Sequence, residues 1–308
     1  MRRLVVMFAI AACGSPNPAS GDAPGGDDDG PAGDAPPDPC EPGTWCTEDS
    51  PVPNILIRAV WAADLDNVFA VGDGGTILHR RNNAWTAMTT PTTSDLRGVW
   101  GLSATDIWAA GTAGALLHYD GTSWAAQGSF TTDFGGVWAS GTDDVWITHA
   151  GGVTHWNGQQ FDTTSLPGEL FAISGSGPTD VWVTGETANV HHYTGTWTTN
   201  IDPGAGATYF AILALTPSDV WVSTFTPNKQ TVHFTGSWTP EAASGATFQS
   251  FHSSGPDDLW GAGGSKVGHW TGSSWAVESP SSGQMFGIGG ISNSFWIVGS
   301  DALILHRR

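Results

Sequence analysis

Positive charge is the scarcest property of this chain. Ten Lys and Arg stand against 29 Asp and Glu, giving a net charge of −19 over 308 residues. A nucleic-acid binder needs a basic face to displace counterions from phosphates, so that class is excluded. Long apolar runs are missing too. The stretch 4–10 is far shorter than the roughly 20 residues a membrane-spanning helix needs. Cysteine is reduced to three residues with no C-x-x-C pair, which removes the usual thiol redox motif. Charged residues of either sign make up only 13% of the chain. What fills the space is 42 Gly, 19 Pro and 17 Trp, a composition suited to many short strands joined by tight turns.

The N-terminus reads as an address. Met1, Arg2 and Arg3 form a basic start, an apolar run follows, and Ile10-Ala11-Ala12-Cys13 resembles a bacterial lipobox. That resemblance implies a signal peptide over residues 1–12 and lipidation of Cys13, with Gly14 after it favouring the outer membrane. Residues 14–39 contain no Val, Ile, Leu or aromatic residue and have nothing to bury. Together with Cys13 they form a disordered Asp-, Pro- and Gly-rich tether, long enough to hold the next domain on the order of 30 Å from its anchor. The run Asp27-Asp28-Asp29 is a solvated part of it. Cys40 and Cys46 remain as a pair, expected to form a structural disulfide in an oxidising compartment. The short loop makes its entropic contribution only about 2 kcal/mol.

From residue 55 onward a repeat carries the sequence. An aromatic residue two places after an Asp, Asn or Ser recurs at Phe69, Trp108, Trp146, Trp182, Trp221, Trp260 and Trp296. A histidine keeps step at His79, His118, His155, His192, His233, His269 and His306, and the two markers return every 36 to 41 residues. Each unit offers four strand signals. In the second they are R-G-V-W from Arg97, D-I-W-A-A-G from Asp106, A-L-L-H-Y from Ala115, and a fourth strand at Trp124 after an Asp120-Gly121 turn. Four antiparallel strands per period predict an all-β, seven-bladed β-propeller over residues 40–308.

Position-specific chemistry supports blades. The second residue of each first strand is small, namely Ala59, Gly98, Gly136, Ala172, Ala211, Ser250 and Gly287, as strands crowded around an axis require. Asp106, Asp144, Asp180, Asp219 and Asp258 read as turn caps, with Asn67 and Ser294 in their place at the two ends. The fourth strand is marked by Trp85, Trp124, Phe161, Trp197, Trp238 and Trp275, and the seventh unit ends before reaching one. Trp45, in a Gly-x-Trp like that at Trp197, is expected to fill that place, so that the N-terminal segment closes the last blade and removes an open edge.

Functional candidates are few. Seven histidines in equivalent positions of separate blades stand too far apart to share one ion at about 2 Å, so no metal is expected and a hydrogen-bonded framework role is preferred. His149, His191 and His252 fall outside the register. Trp61, Trp100 and Trp138 end three consecutive first strands, where later units carry Ser174, Leu213, His252 and Ile288. That aromatic arc is a possible ligand-binding site, with inter-blade packing the competing reading. The carboxylates of interest are Asp143, Asp144, Glu186, Asp257 and Asp258. No G-x-S-x-G elbow marks a nucleophile, and no cofactor motif is present.

The pattern D-x-W-x-x-G…G-x-x-x-H-x-x-G-x-x-W resembles the BNR/Asp-box and photosystem-assembly-factor-like propellers of bacterial lipoproteins, and the histidine network is similar to that of WD-repeat blades. The resemblance covers residues 43–308 and implies a rigid disc presenting variable loops, here 86–94, 127–133, 198–207, 240–246 and 278–284. It implies a non-catalytic, lipid-anchored, monomeric scaffold of the cell envelope that binds a protein or a glycan. The alternative is a carbohydrate-active propeller, a hydrolase or lyase. A sialidase-like site would need converging arginines and a Tyr nucleophile. The six arginines after the leader are confined to the first, second and last units, and there are only three tyrosines.

Overall fold

A computed structural model describes residues 40–308 apart from 187–189, 205–207, 226–229, 242–243 and 256. The expected signal peptide, Cys13 and the tether lie outside the described residues. The second repeat shows how sequence becomes sheet. Its strands Leu96–Ser103, Asp106–Gly111, Leu116–Tyr119 and Trp124–Ala126 pair antiparallel in chain order. The register sets Trp100 opposite Trp108, Trp108 opposite His118, and Tyr119 opposite Trp124. A three-residue turn at Thr112–Gly114 joins the second and third strands, and Ala113 and Gly114 there take positive φ.

The strands assemble into six hydrogen-bonded sheets, not seven. Five have four strands; the remaining one has six, built from Phe134–Gly141, Asp144–Trp156, Phe161–Gly177, Asp180–Gly185, Val190–Tyr193 and Trp197–Ile201. Two sequence units share that sheet, and the expected count of seven four-stranded blades is corrected accordingly. The physical reason is local. No turn separates the outer strand of one unit from the inner strand of the next, which run unbroken over Phe161–Gly177, and His149-Ala150-Gly151-Gly152 does not form the three-residue turn seen at Thr112–Gly114. Asp144–Trp156 is instead extended throughout, and Ala150 pairs with Glu169 on a strand that runs on from the outer edge of one unit into the inner strand of the next.

Inner strands stand side by side in a closed circle. Ile57–Asp64 packs against Leu96–Ser103, that against Phe134–Gly141, then the end of Phe161–Gly177, Thr208–Thr216, Ser250–Gly255, Met285–Ile291 and back to Ile57–Asp64. Equivalent positions meet across the neighbours. A Cβ on Gly98 would lie 3.3 Å from Gly136 Cα, and one on Gly287 would lie 3.0 Å from Ala59 Cα. Ser250 makes the same approach with a hydroxyl, accepting from Ile288 N at 3.2 Å. Small residues recur at this position because backbone meets backbone there.

The circle is closed by the chain ends. Trp45–Thr47 pairs with Ile304–Arg307, with Trp45 opposite Arg307 and Cys46 opposite His306. Cys46, within this pairing, forms a disulfide with Cys40. Among the described residues no helix is long and apolar enough to cross a membrane.

Gly111 offers a direct test of the fit between the first two strands of a unit. It is extended at φ −169°, so any residue could adopt its backbone, but a Cβ would lie 2.0 Å from Asp95 O and 2.8 Å from Leu96 Cα. Gly111→Ala is therefore expected to destabilise by about 3 kcal/mol, lowering Tm by roughly 6–10 °C. Gly141→Ala, with nothing within 4 Å of the added carbon, should shift it by a degree or two. Equal melting of the two variants would refute this account of the fit.

Candidate functional site at the axial mouth

The repeated polar residues are consumed by the framework. His118 bonds Asp106 at 2.8 Å, His155 bonds Asp144 at 2.6 Å, and His192, His233 and His269 bond Asp180, Asp219 and Asp258 at 2.7, 2.7 and 2.6 Å. Asn67 and Ser294 do the same for His79 and His306 at 3.2 and 2.8 Å. Each imidazole stacks on its unit's Trp or Phe with centroids 3.5–4.5 Å apart. In four units the same Asp oxygen also accepts the Trp Nε1 proton. Burial opposes ionisation of Asp144, Asp180 and Asp258, but hydrogen bonds from His, Ser and Trp outweigh it and hold these carboxyls below the usual range. Asp143 and Asp257 are exposed.

Trp61, Trp100 and Trp138 are buried, at 7, 5 and 2% exposure. The Trp61 ring lies where a Cβ of Gly101 would be, the Trp138 ring lies against Gly175, and Trp100 donates to Ala139 O at 2.9 Å. The aromatic arc thus packs between neighbouring inner strands and has little surface for a ligand. The register also places Gly289, not Ile288, opposite Trp296 at the equivalent position of the last unit. Trp45 packs edge-on against Phe295 and Trp260, and its Nε1 donates to Glu278 at 2.7 Å.

Among the described residues one group of metal-type donors converges, Cys40, Cys46 and His306. Its atoms are already committed. The sulfurs are joined, His306 Nε2 meets Ser294 Oγ at 2.8 Å, and Nδ1 lies 3.1 Å from the Glu48 carboxylate. Glu48 went unremarked in the sequence, although the absence of an Asp at position 294 signalled that another acceptor was needed. It receives Arg80, Trp85 and Trp296, tying the last sheet to the first.

The remaining chemistry collects where the inner strands begin. Register skips there leave Arg58, Arg97, Phe171, Phe210 and Phe286 as single bulged residues in five inner strands. Bulges re-aim a side chain at a sheet end. Arg58 is paired to Asp73, and Arg97 to Asp133 at 3.2 Å. Asp95 and Asp133 accept the Gly74 and Ala113 amides at 2.9 Å, bracing each turn against the next unit. Phe171 stacks on Phe210 at 6.4 Å, and Phe225 stands edge-on to Phe210 at 5.3 Å. Phe225 is 61% exposed, far above Leu65 and Val277 at 38%. Glu169 lines the mouth beside Arg97, Asp133 and Phe171, and Glu186 N donates to its carbonyl at 3.0 Å. Burial and the Glu186 charge push the Glu169 carboxyl above its usual range, with Arg97 opposing. The cavity beneath holds about 30 Å³, room for about one water, so a ligand would rest on the mouth and not within it. A wider depression of about 320 Å³ lies on the rim between 88–91 and 122–124.

No family model matches the sequence, and no curated protein does. Solved structures do. YCF48 bound to D1 peptide superposes with a TM-score of 0.71 at 14% identity, over 87% of this chain and 98% of that one. A catalytically inactive virginiamycin B lyase from Staphylococcus aureus with quinupristin gives 0.69 at 14% identity, over 85% and 98%. The WD40 β-propeller domain of Doa1 gives 0.69 at 12% identity, over 85% and 94%. At such identities the likeness shows a shared propeller fold.

Proposed function

We propose that this chain is a lipid-anchored scaffold of a bacterial cell envelope whose propeller binds a protein partner. The observation that carries the reading is the axial mouth. The repeated His and Asp side chains are locked into the frame, whereas Phe225 and the Glu169–Glu186 pair are left at one open end. A structural neighbour, YCF48, is seen bound to a peptide, which supports a peptide-binding use of this shape. Anchoring rests on Cys13 and its preceding residues alone.

The test has two parts. Full-length protein expressed in a Gram-negative host should incorporate radiolabelled palmitate and fractionate with membranes, and Cys13→Ser should do neither. The ring itself, residues 40–308, should then capture a discrete protein from envelope extracts and release it on addition of free ring. Turnover on a panel of glycans, with no protein captured, would replace the scaffold by the carbohydrate-active alternative, for which the raised Glu169 beside Glu186 would be the first residues to mutate.

A further inference from the structure

We propose that the axial mouth docks a short basic–aromatic segment of the partner, with an aromatic side chain on Phe225, which Phe210 backs, and a Lys or Arg beside Glu169 and Glu186. This rests on the scaffold reading and specifies the face and chemistry it uses.

The aromatic half is a platform. Phe210 is 7% exposed, fixed by its bulge, and carries Phe225 edge-on at 5.3 Å. Phe225 pairs with Thr208 at the end of its strand, so its backbone is held while its ring faces solvent. Edge-to-face contact with a third ring is the arrangement such a surface favours. The mouth continues from Phe210 through Phe171 to Glu169, two residues before Phe171 in the chain.

The polar half is negative. Arg97, the cation beside Glu169, is held by Asp133, and among the described residues neither Glu169 nor Glu186 joins an ion pair. A carboxyl raised by burial and by a second carboxylate gains from an incoming cation more than a solvated one does, because the cation relieves both. A net charge of −19 adds long-range attraction for a basic segment and repels an acidic one. Charge complementarity therefore selects the occupant.

The experiment uses full-length protein in mild detergent and fluorescein-labelled nonapeptides built on Gly and Ser, read by anisotropy. One carries Lys-Phe-Arg at its centre, one Lys-Ala-Arg, one Glu-Phe-Glu. The first should bind, the second at least tenfold more weakly, and the third not measurably. Phe225→Ser should weaken the first peptide about tenfold, and Glu169→Gln with Glu186→Gln should weaken it at least as much while flattening its salt dependence. These side chains are at the surface, so unchanged Tm serves as the folding control. If the first peptide binds and neither variant weakens it, the mouth is not the site and the scaffold reading stands. A preference for the acidic peptide, or no binding of any peptide at millimolar concentration, also overturns the inference. Whether the scaffold reading falls with it is decided separately by capture from envelope extracts.

Discussion

Glu48→Ala is expected to destabilise the protein by about 3–5 kcal/mol, the range seen when one partner of a buried ion pair is removed. The Glu48 side chain is 5% exposed and that of Arg80 is fully buried. The carboxylate accepts Arg80 Nε at 3.0 and 3.1 Å, Arg80 Nη2 at 3.0 Å, Trp85 Nε1 at 2.6 Å and Trp296 Nε1 at 3.2 Å. Without it, Arg80 keeps Leu65 O and Asn83 Oδ1 but loses the buried Glu48 carboxylate that receives it. Glu48→Gln combined with Arg80→Met should recover part of the loss, since it removes both charges. Denaturant unfolding compares both variants with the parent, and a Glu48→Ala loss below about 1 kcal/mol would show that the Glu48 carboxylate does little for stability. The pH profile is a second readout. Burial raises the Glu48 carboxyl, but hydrogen bonds from His306 and Arg80 outweigh it and bring it from 4.5 down to about 2. A folded value below the unfolded one contributes stability that is complete above pH 4.5 and lost as pH falls toward 2. The shift corresponds to about 3 kcal/mol. Glu48→Ala should therefore show a flatter stability profile across that window.

Deleting residues 40–50 should have a larger effect still, opening the ring. The deletion removes the closing strand, the disulfide, Trp45 from between Phe295 and Trp260, and Glu48 together. It leaves Ile304–Arg307 as a bare edge and Arg80 buried without its carboxylate. The summed loss, about 5 kcal/mol or more, is comparable to the whole stability of a typical domain. The expected result is a broad transition at much lower temperature and rapid proteolysis of the last sheet. Melting within a degree or two of the parent would show that closure contributes nothing. Cys40→Ser with Cys46→Ser separates the terms, since the short loop predicts a loss of only about 2 kcal/mol.

These effects also mark what the sequence made legible. Periodicity revealed the propeller because every unit repeats the same stacked pair and a polar residue that bonds its histidine, a partner where a turn cap was expected, and the missing seventh Trp pointed to Trp45. The sheet count went astray between Asp144 and Gly177, where strands that other units break with turns run on and two units share a sheet. Trp61, Trp100 and Trp138 looked like a possible surface because spacing records which strand a residue is on, not what its neighbour lacks; Gly101 and Gly175 make the room that buries two of them. Glu48 and the mouth were invisible for a related reason. Glu48 is nonrepetitive, and Arg58, Arg97, Phe171, Phe210 and Phe286 differ in type while sharing a bulge that only backbone pairing exposes.

The disulfide at the ring's seam governs how mechanical load enters the fold. Tension on the chain before Cys40 does not first peel Trp45 from Arg307, because the Cys40–Cys46 bond short-circuits residues 41–45. The force arrives at Cys46, opposite His306, two residues from the buried Glu48. It must then shear Cys46 and Thr47 against His306 and Leu305 while dragging a carboxylate away from Arg80. Load applied ahead of Cys40 thus bypasses residues 41–45 and enters the ring beside the buried Glu48–Arg80 pair.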